Sequence, residues 1–339
     1  METILVLAHV EADGTLGRPA REAIAAARAV REGLAGSSLV VGLAGAGAGA
    51  AAPQTASCGA ARWLAVEGPE FGEPRYATDA AAAQALAEAA SAGLVIAAST
   101  SRWARTLAGV AQRLGGRVDT HVTGVAAAQG KVAVSRWFYR QRMEAEIERA
   151  QRPWFILVDP GCFQPWAGEP GPVAVERVAA SGSSRTRFVE YREPVSGEQT
   201  IRPDAELLFV AGAGWTKKQP DGKTHTEQAG ALILDFLRKS RASLGSSKSL
   251  VDLGSEGHAV LPFLTHMNQV GQTGSTPRHP KGLATCCHGE EPHVVGWRFV
   301  NERRAVNLDP NCGWAQGKAD VLYVADAFTV MAKVDELLG

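Results

Sequence analysis

The chain has 339 residues, 45% hydrophobic and 21% charged, and its 35 basic and 35 acidic side chains cancel to a formal net charge of zero. That balance is globular, and zero net charge removes the electrostatic case for nucleic acid or an anionic membrane surface as a partner. No apolar run approaches the ~20 residues needed to span a bilayer, and the start, METILVLAHVEADG, reads as a strand and a turn rather than a secretory leader.

Ile4–Ala8 is a short apolar run, the first expected strand. Pro19–Leu34 (PAREAIAAARAVREGL) reads as an alanine-rich helix and Ser38–Ala44 as a buried strand. Ala80–Ala92 is a second alanine-rich helix, Gly93–Ala98 a strand, and Arg102–Leu114 a helix ended by Gly115-Gly116. Continuous apolar strands separated by helices imply a parallel sheet covered on both faces. Val134–Trp154 is bulky and charged. Half of it is read as a helix face for a partner, anchored by Trp137, Phe138 and Tyr139, or its aromatics pack in the core. Further strands are expected at Phe155–Asp159, Val173–Ala179 and Arg187–Arg192.

Ala180–Arg185 and Pro194–Asp204 are turn-rich, and then the pattern restarts. Strand Glu206–Ala211 and helix Glu227–Ser243 are followed by strands at Gly282–Thr285, Ala305–Leu308 and Val321–Val324, and by helix Ala325–Leu338. The expected fold class is α/β, with two α/β domains on mainly parallel sheets, 1–203 and 204–339, meeting near Pro203. Five cysteines without framework spacing suggest a reducing compartment, so a cytoplasmic location is expected.

Two lookalikes are set aside. Gly45-Ala-Gly47-Ala-Gly49-Ala50 fits a loose dinucleotide fingerprint, but Pro53 comes early for the required helix and no acidic residue stands at a ribose spacing. Gly222-Lys223-Thr224 ends like a phosphate loop, yet the position that needs the first glycine is Lys217.

Asn268–Trp297 (NQVGQTGSTPRHPKGLATCCHGEEPHVVGW) is too polar for a core helix and too broken for a strand. In Gln269-Val-Gly-Gln-Thr-Gly274, two glycines let backbone N–H groups approach a ligand, and two glutamines and a threonine add donors and acceptors. A planar, polar-edged ligand or a phosphate suits this set; composition alone favours a polar surface loop. The order of motifs adds information. Gly212-Ala-Gly214 follows a strand, then come Gly245-Ser-Ser-Lys-Ser-Leu-Val-Asp252, Gln269–Gly274, Pro292-His293, Ala305-Val-Asn307-Leu-Asp309, Ala319-Asp320 and Ala325-Asp326.

In that order the chain resembles the FAD domain of the electron transfer flavoprotein alpha subunit. The family pattern runs G-G-R-G, G-A-S-R-x-x-V-D, Q-V-G-Q-T-G, G-I-S-G-A-I-Q-H, A-I-N-x-D and A-D. Ile4–Ala8, ASTSRWARTLAGVAQRLG and DTHVTGV (Asp119–Val125) are similar to the family's A-T-S-x-G-R-D-L-A-P-R-x-A-A-R-L-G and S-D-V-T-G runs. The resemblance therefore covers nearly the whole chain, as a divergent member.

The resemblance implies a Rossmann-like C-terminal domain that binds FAD and a heterodimer with a beta subunit holding AMP or a second flavin. It also implies electron carriage from a flavin-dependent dehydrogenase to a downstream acceptor, with no catalytic residue. Carried over by position, Ser247 and Lys248 lie near the cofactor. Gln269, Val270, Gly271, Gln272 and Thr273 line its flavin and phosphate side, with Thr273 at flavin N5. His288 and Gly289 belong to the next loop, His293 faces the pyrimidine end, Asn307 meets the phosphate or ribitol, and Asp326 meets the adenine amine. Such groups tune a flavin by the charges and donors they place around it.

Departures gather where the resemblance puts the flavin. The G-G-R-G arginine falls at Ala213. The S-R arginine is Lys248, which keeps the charge and loses the planar fork. The next element reads Cys286-Cys-His-Gly-Glu-Glu-Pro-His293, which adds Glu290 and Glu291. A lost guanidinium and added carboxylates disfavour an anionic reduced flavin, so a lower one-electron potential is expected. Two readings stay open beside the carrier: a scaffold subunit of a dehydrogenase complex that has lost FAD, and a stand-alone NAD-dependent enzyme. Cys286-Cys287-His288, with His279 and Cys312, raises zinc, but adjacent cysteines rarely chelate one ion and close only a strained disulfide ring. No metal is expected.

Overall fold

In the computed structural model the described residues are 2–138, 143–191, 201–202, 204–252, 259–270, 278–285, 300–310 and 319–339. The chain divides into two units, Met1–Tyr191 and Arg192–Gly339. Both are α/β, as the alternation of apolar runs and helices leads one to expect.

The first unit contains β1 (Thr3–His9), α1 (Arg18–Gly33), β2 (Ser38–Gly45), the single turn α2 (Ala48–Ala51), β3 (Arg62–Glu67), α3 (Tyr76–Ala89), β4 (Leu94–Ala98) and α4 (Ser101–Arg113). It continues with β5 (Arg117–Ala128), β6 (Lys131–Phe138), β7 (Met143–Glu148), β8 (Trp154–Val158) and β9 (Val175–Arg177). They build a nine-stranded sheet in the order β7-β6-β5-β8-β4-β1-β2-β3-β9. β5 to β9 along that order run parallel, while β6 and β7 are antiparallel additions at one edge.

Strand alternation divides the core. Ile4, Val6 and Ala8 of β1 face a cluster with Ala23, Ile24 and Val30 of α1; Leu5 and Leu7 face one with Leu86 of α3 and Leu107 and Val110 of α4. Helix α1 forms because Pro19 stands at its start, where a missing N–H costs nothing, and its buried residues recur every three or four positions. Thr100 caps α4 by accepting from Trp103 N at 3.3 Å, and Gly115 at φ 65° ends it.

Three expectations for this unit are corrected. The described residues of Val134–Trp154 form no helix face: β6 and β7 pair antiparallel, with Val134 opposite Ile147 and Trp137 opposite Glu144. The alternation of Met143, Ala145 and Ile147 with Glu144, Glu146 and Glu148 has the strand period of two, and Tyr139 lies outside the described residues. Residues 187–191 form no strand; Val189 and Tyr191 are 74% and 76% exposed, so the alternating pattern has no buried face to hold it. Strand β3 was not anticipated. The Gly45–Ala50 turn does lead into a helix, but α2 is one turn long and passes into a 3-10 helix, Ala52–Cys58, around Pro53.

A buried carboxylate ties the antiparallel edge to the parallel sheet. Asp119 has no exposed surface. Its Oδ1 accepts from Arg149 Nη2 at 2.8 Å and Arg136 Nη1 at 3.1 Å, and its Oδ2 accepts from Trp154 Nε1 at 2.9 Å and from Arg149 Nε. Burial alone raises its pKa, but the bonds from Arg149, Trp154 and Arg136 outweigh burial and hold it below the usual carboxylate value. Its contribution is therefore present above the unfolded value and is lost as pH falls through the folded one. Asp119→Asn is expected to lower the unfolding free energy near neutral pH by about 3 kcal/mol, measured by denaturant titration, and the difference from wild type should shrink in acid.

The second unit contains β10 (Leu207–Ala211), α5 (Thr226–Ser240), β11 (Ser243–Ser246), α6 (Lys248–Asp252), β12 (His279–Thr285), β13 (Val300–Asn307), β14 (Val321–Val324) and α7 (Ala327–Leu338). All pairings are parallel, in the order β11-β10-β12-β13-β14. Counted along the chain this is second, first, third, fourth, fifth, one of the common doubly wound orders. Phe209, Ala211, Ile233, Phe236 and Met331 share one core; Leu208, Val210, Val270, Ala284 and Ala305 share another. The helix expected to reach Ser243 stops at Ser240, where Arg241 turns left-handed at φ 54°, and β11 takes the next residues. Among the described residues no helix is long and apolar enough to cross a membrane.

Asp335 on α7 is 5% exposed, and neither carboxylate oxygen has a hydrogen-bond partner among the described residues. Burial, and then the charge of Asp235, push its pKa up against Lys239. The stability this group lends is complete in acid and is lost as pH rises through the folded value. Asp335→Leu should therefore stabilise the chain at neutral pH by about 1–3 kcal/mol, the cost of an unsatisfied buried group. The gain should diminish in acid, as thermal melts at several pH values would register.

Candidate functional site

In a sheet whose strands all point one way, every chain segment leaving a strand emerges at the same edge. Where the chain leaves β10 for β11 on one side and later returns to β12 on the other, the segments part and a crevice opens. The second unit has this topology, and its backbone stitches that edge together. Ser247 N donates to Ala211 O at 2.9 Å and Gly212 N to Thr285 O at 2.8 Å; Val270 N donates to Ser246 O at 3.1 Å and Ala325 N to Asn307 O at 3.1 Å.

Six of the residues picked from the sequence lie at this edge. Ser247 and Lys248 follow β11, Gln269 forms a parallel bridge with Ser246, Val270 stands next to it, Asn307 ends β13 and Asp326 follows β14. Gly271, Gln272, Thr273, His288, Gly289 and His293 lie outside the described residues, as do Cys286, Cys287, Glu290, Glu291 and Cys312. Ser247 and Asp326, 79 positions apart, are thus brought to one edge by the shared strand direction.

Local structure already engages several of these side chains. The Ser247 hydroxyl accepts from Leu250 N at 3.4 Å and begins α6. Lys248 Nζ is 3.7 Å from Asp252 Oδ2 one turn on, and 43% of its side chain is exposed. Asp326 Oδ1 accepts from Thr329 N and Thr329 Oγ1, both at 2.8 Å, and so caps α7; Oδ2 carries neither bond. Asn307 Nδ2 donates to Asp309 O at 3.2 Å.

Two polar atoms at the edge remain unsatisfied. Asn307 is 1% exposed and its Oδ1 has no partner among the described residues; Ser246 is wholly buried and its Oγ has none either. A buried polar atom without a partner costs free energy, and a ligand that donates a hydrogen bond there would recover it. Their chemistry, one amide oxygen and one hydroxyl, together with the Lys248 ammonium, suits an extended ligand with polar edges and negative charge. Among the described residues there is no cluster of three metal-ligating side chains.

Two residues that the motifs did not single out position the others. Asn268 is fully buried. Its Nδ2 donates to Leu244 O of β11 at 3.1 Å, while its Oδ1 accepts from Thr265 N at 3.0 Å. This clamp sets Gln269 and Val270 against the end of β11. Val270 comes so close that a Cβ on Gly245 would lie 2.5 Å from its Cγ2, which gives that glycine a packing reason. Trp215, also fully buried, donates from Nε1 to Thr285 Oγ1 at 2.9 Å, and its ring lies 4.6 Å from that of Phe328. It joins the ends of β10 and β12 on the side of α7. An amide directly before Q-V-G-Q-T-G and a tryptophan directly after Gly212-Ala-Gly214 were the available signals.

Asn268→Ala leaves Leu244 O without its side-chain donor and frees the turn. It should destabilise the second unit by about 1–3 kcal/mol, read as hydrogen-exchange protection lost from β11 ahead of the first unit.

A protein-family model, that of the electron transfer flavoprotein domain, matches residues 4–183, more than half of the chain. The matched residues fall within the first unit; the edge just described lies in the second.

Proposed function

The chain belongs to the electron transfer flavoprotein family, and from that premise we propose that it is an alpha-type subunit whose second unit holds FAD along the carboxyl edge of its parallel sheet. The observation that carries this reading is the buried Asn307 oxygen at that edge, which has no partner among the described residues, in an arrangement where open α/β sheets take their ligands.

FAD would supply reversible acceptance of one or two electrons. The chain's own residues bind and orient it. Asn307 Oδ1 would accept a hydrogen bond from the ligand, and Ser246 Oγ would donate or accept one. The Lys248 ammonium favours the ligand's negative charge, and Asp252 at 3.7 Å offsets part of that field. Gln269 would meet the polar edge of the ring system from the turn clamped by Asn268. Gly271, Gln272, Thr273 and His293 join this assignment by resemblance, and so does the contact of Asp326 with the adenine.

The same reading assigns the partners. A beta-type subunit holding AMP or a second flavin would complete the heterodimer, and a flavin-dependent dehydrogenase would supply electrons that pass to a downstream acceptor. The replacement of the family's two arginines by Ala213 and Lys248 favours a lower one-electron potential than a member that keeps both.

The full chain, purified with whatever subunit accompanies it, should be yellow and should release FAD when denatured. Asn307→Leu keeps the side-chain size and removes the acceptor, together with the Nδ2 donor to the carbonyl of Asp309, an exposed residue. It should weaken FAD binding about tenfold, the worth of one well-placed hydrogen bond, without lowering the melting temperature of the FAD-free protein. A folded, colourless protein that fails to take up added FAD would sink the reading and favour the scaffold subunit.

A further inference from the structure

Gln269 carries a second feature. Its Nε2 lies 2.8 Å from Nδ1 of His266, three residues earlier in the same turn. The His266 side chain is 72% exposed, and Asp252 Oδ1 lies 3.7 Å from the same ring nitrogen. Asp252 is in turn 3.7 Å from Lys248 Nζ. Asp252 of α6 is the charged group that faces the ring among the described residues, and Lys248 acts on it through Asp252; β11, against which the turn packs, has the sequence SLGS and adds none.

A carboxamide has one end that only donates and one that only accepts. When the imidazole is neutral with its proton on Nε2, Nδ1 accepts from Gln269 Nε2, and Gln269 Oε1 is turned away from the ring. Protonation places a hydrogen on Nδ1, which then cannot accept. The amide must rotate by half a turn, so that Oε1 faces the ring and the NH2 group faces outward.

We infer that His266 is a positioning residue whose protonation sets which end of the Gln269 carboxamide is presented to the ligand at this edge. The inference rests on the proposal that this edge holds the cofactor. With the ring neutral the edge offers an acceptor, matched to an imide N–H; with the ring charged it offers a donor, matched to a carbonyl or phosphate oxygen. Histidine is the side chain that makes this exchange within the physiological pH range.

The test uses the full chain with and without FAD. In the FAD-free chain, the side-chain NH2 resonances of Gln269 should shift with the midpoint of the His266 ring. In the FAD-bound chain, Kd should change by about fivefold between about pH 5 and pH 8, one hydrogen bond's worth. His266→Asn should abolish both responses. His266→Lys, a donor throughout that range, should hold Kd at the wild-type acidic value. Gln269 resonances that ignore the His266 titration, or a pH step that survives in His266→Asn, overturn the inference. If those resonances follow the ring but FAD does not bind at any pH, the amide switch stands and the flavin assignment fails.

Discussion

The parallel register of β10 between β11 and β12 is the constraint on which the candidate site depends. Leu208 pairs with Ser243 on one side and Leu207 with Lys281 on the other. The shared strand direction carries the ends of five strands to one edge. Buried side chains of β10 hold that register from both faces, Phe209 and Ala211 towards the helices and Leu208 and Val210 towards Val270. A slip by one residue would exchange the faces and turn those apolar side chains the wrong way. The edge is therefore a by-product of core packing, and the polar residues standing on it inherit their positions.

Rigid and adaptable groups alternate along this edge. Asn268 and Trp215 are fully buried and hydrogen-bonded to β11 and β12, so the turn and the strand ends are fixed by groups with no freedom of their own. Lys248, His266 and Gln269 stand on that frame and reach outward. A frame of this kind limits the entropy lost when a ligand is bound, while the outward side chains remain responsive to charge and pH. The Asn307 Oδ1 and Ser246 Oγ atoms complete the contrast: they are buried like the frame, yet have no hydrogen-bond partner among the described residues.

Much of this was legible in the amino-acid order. Val321–Val324 forms the strand expected of it although it is largely exposed; Ile4–Ala8, Ser38–Ala44 and Glu206–Ala211 fall within a residue or two of strands, because continuous apolar runs that are mostly buried leave little choice. The misreadings share a cause. In Val134–Trp154 a strand period of two was obscured by aromatics and charges. In Arg187–Arg192 the same period was present, but a strand requires a neighbour, and residues 187–191 pair with no strand among the described residues. Ser243–Ser246 is four residues with one large apolar side chain, too short to carry a period, and becomes a strand because β10 offers an open edge. Among the candidate site residues, Ser247, Lys248, Gln269, Val270, Asn307 and Asp326 were found by motif and meet at one edge. Asn268 and Trp215 were passed over because a buried amide and a buried indole announce themselves only through the partners they find.

The amino-acid order carries the α/β class, the alternation of strands with helices and the kinds of chemical group available, since periodicity and composition are local properties. It also holds the motif order that suggests a flavin. The folded arrangement settled which strands are neighbours, that Asp119 gathers two arginines and an indole, and that the Asn307 oxygen finds no partner among the described residues. These depend on contacts between residues far apart in the chain, and such contacts are selected by the packing of the whole unit rather than by any short stretch of it.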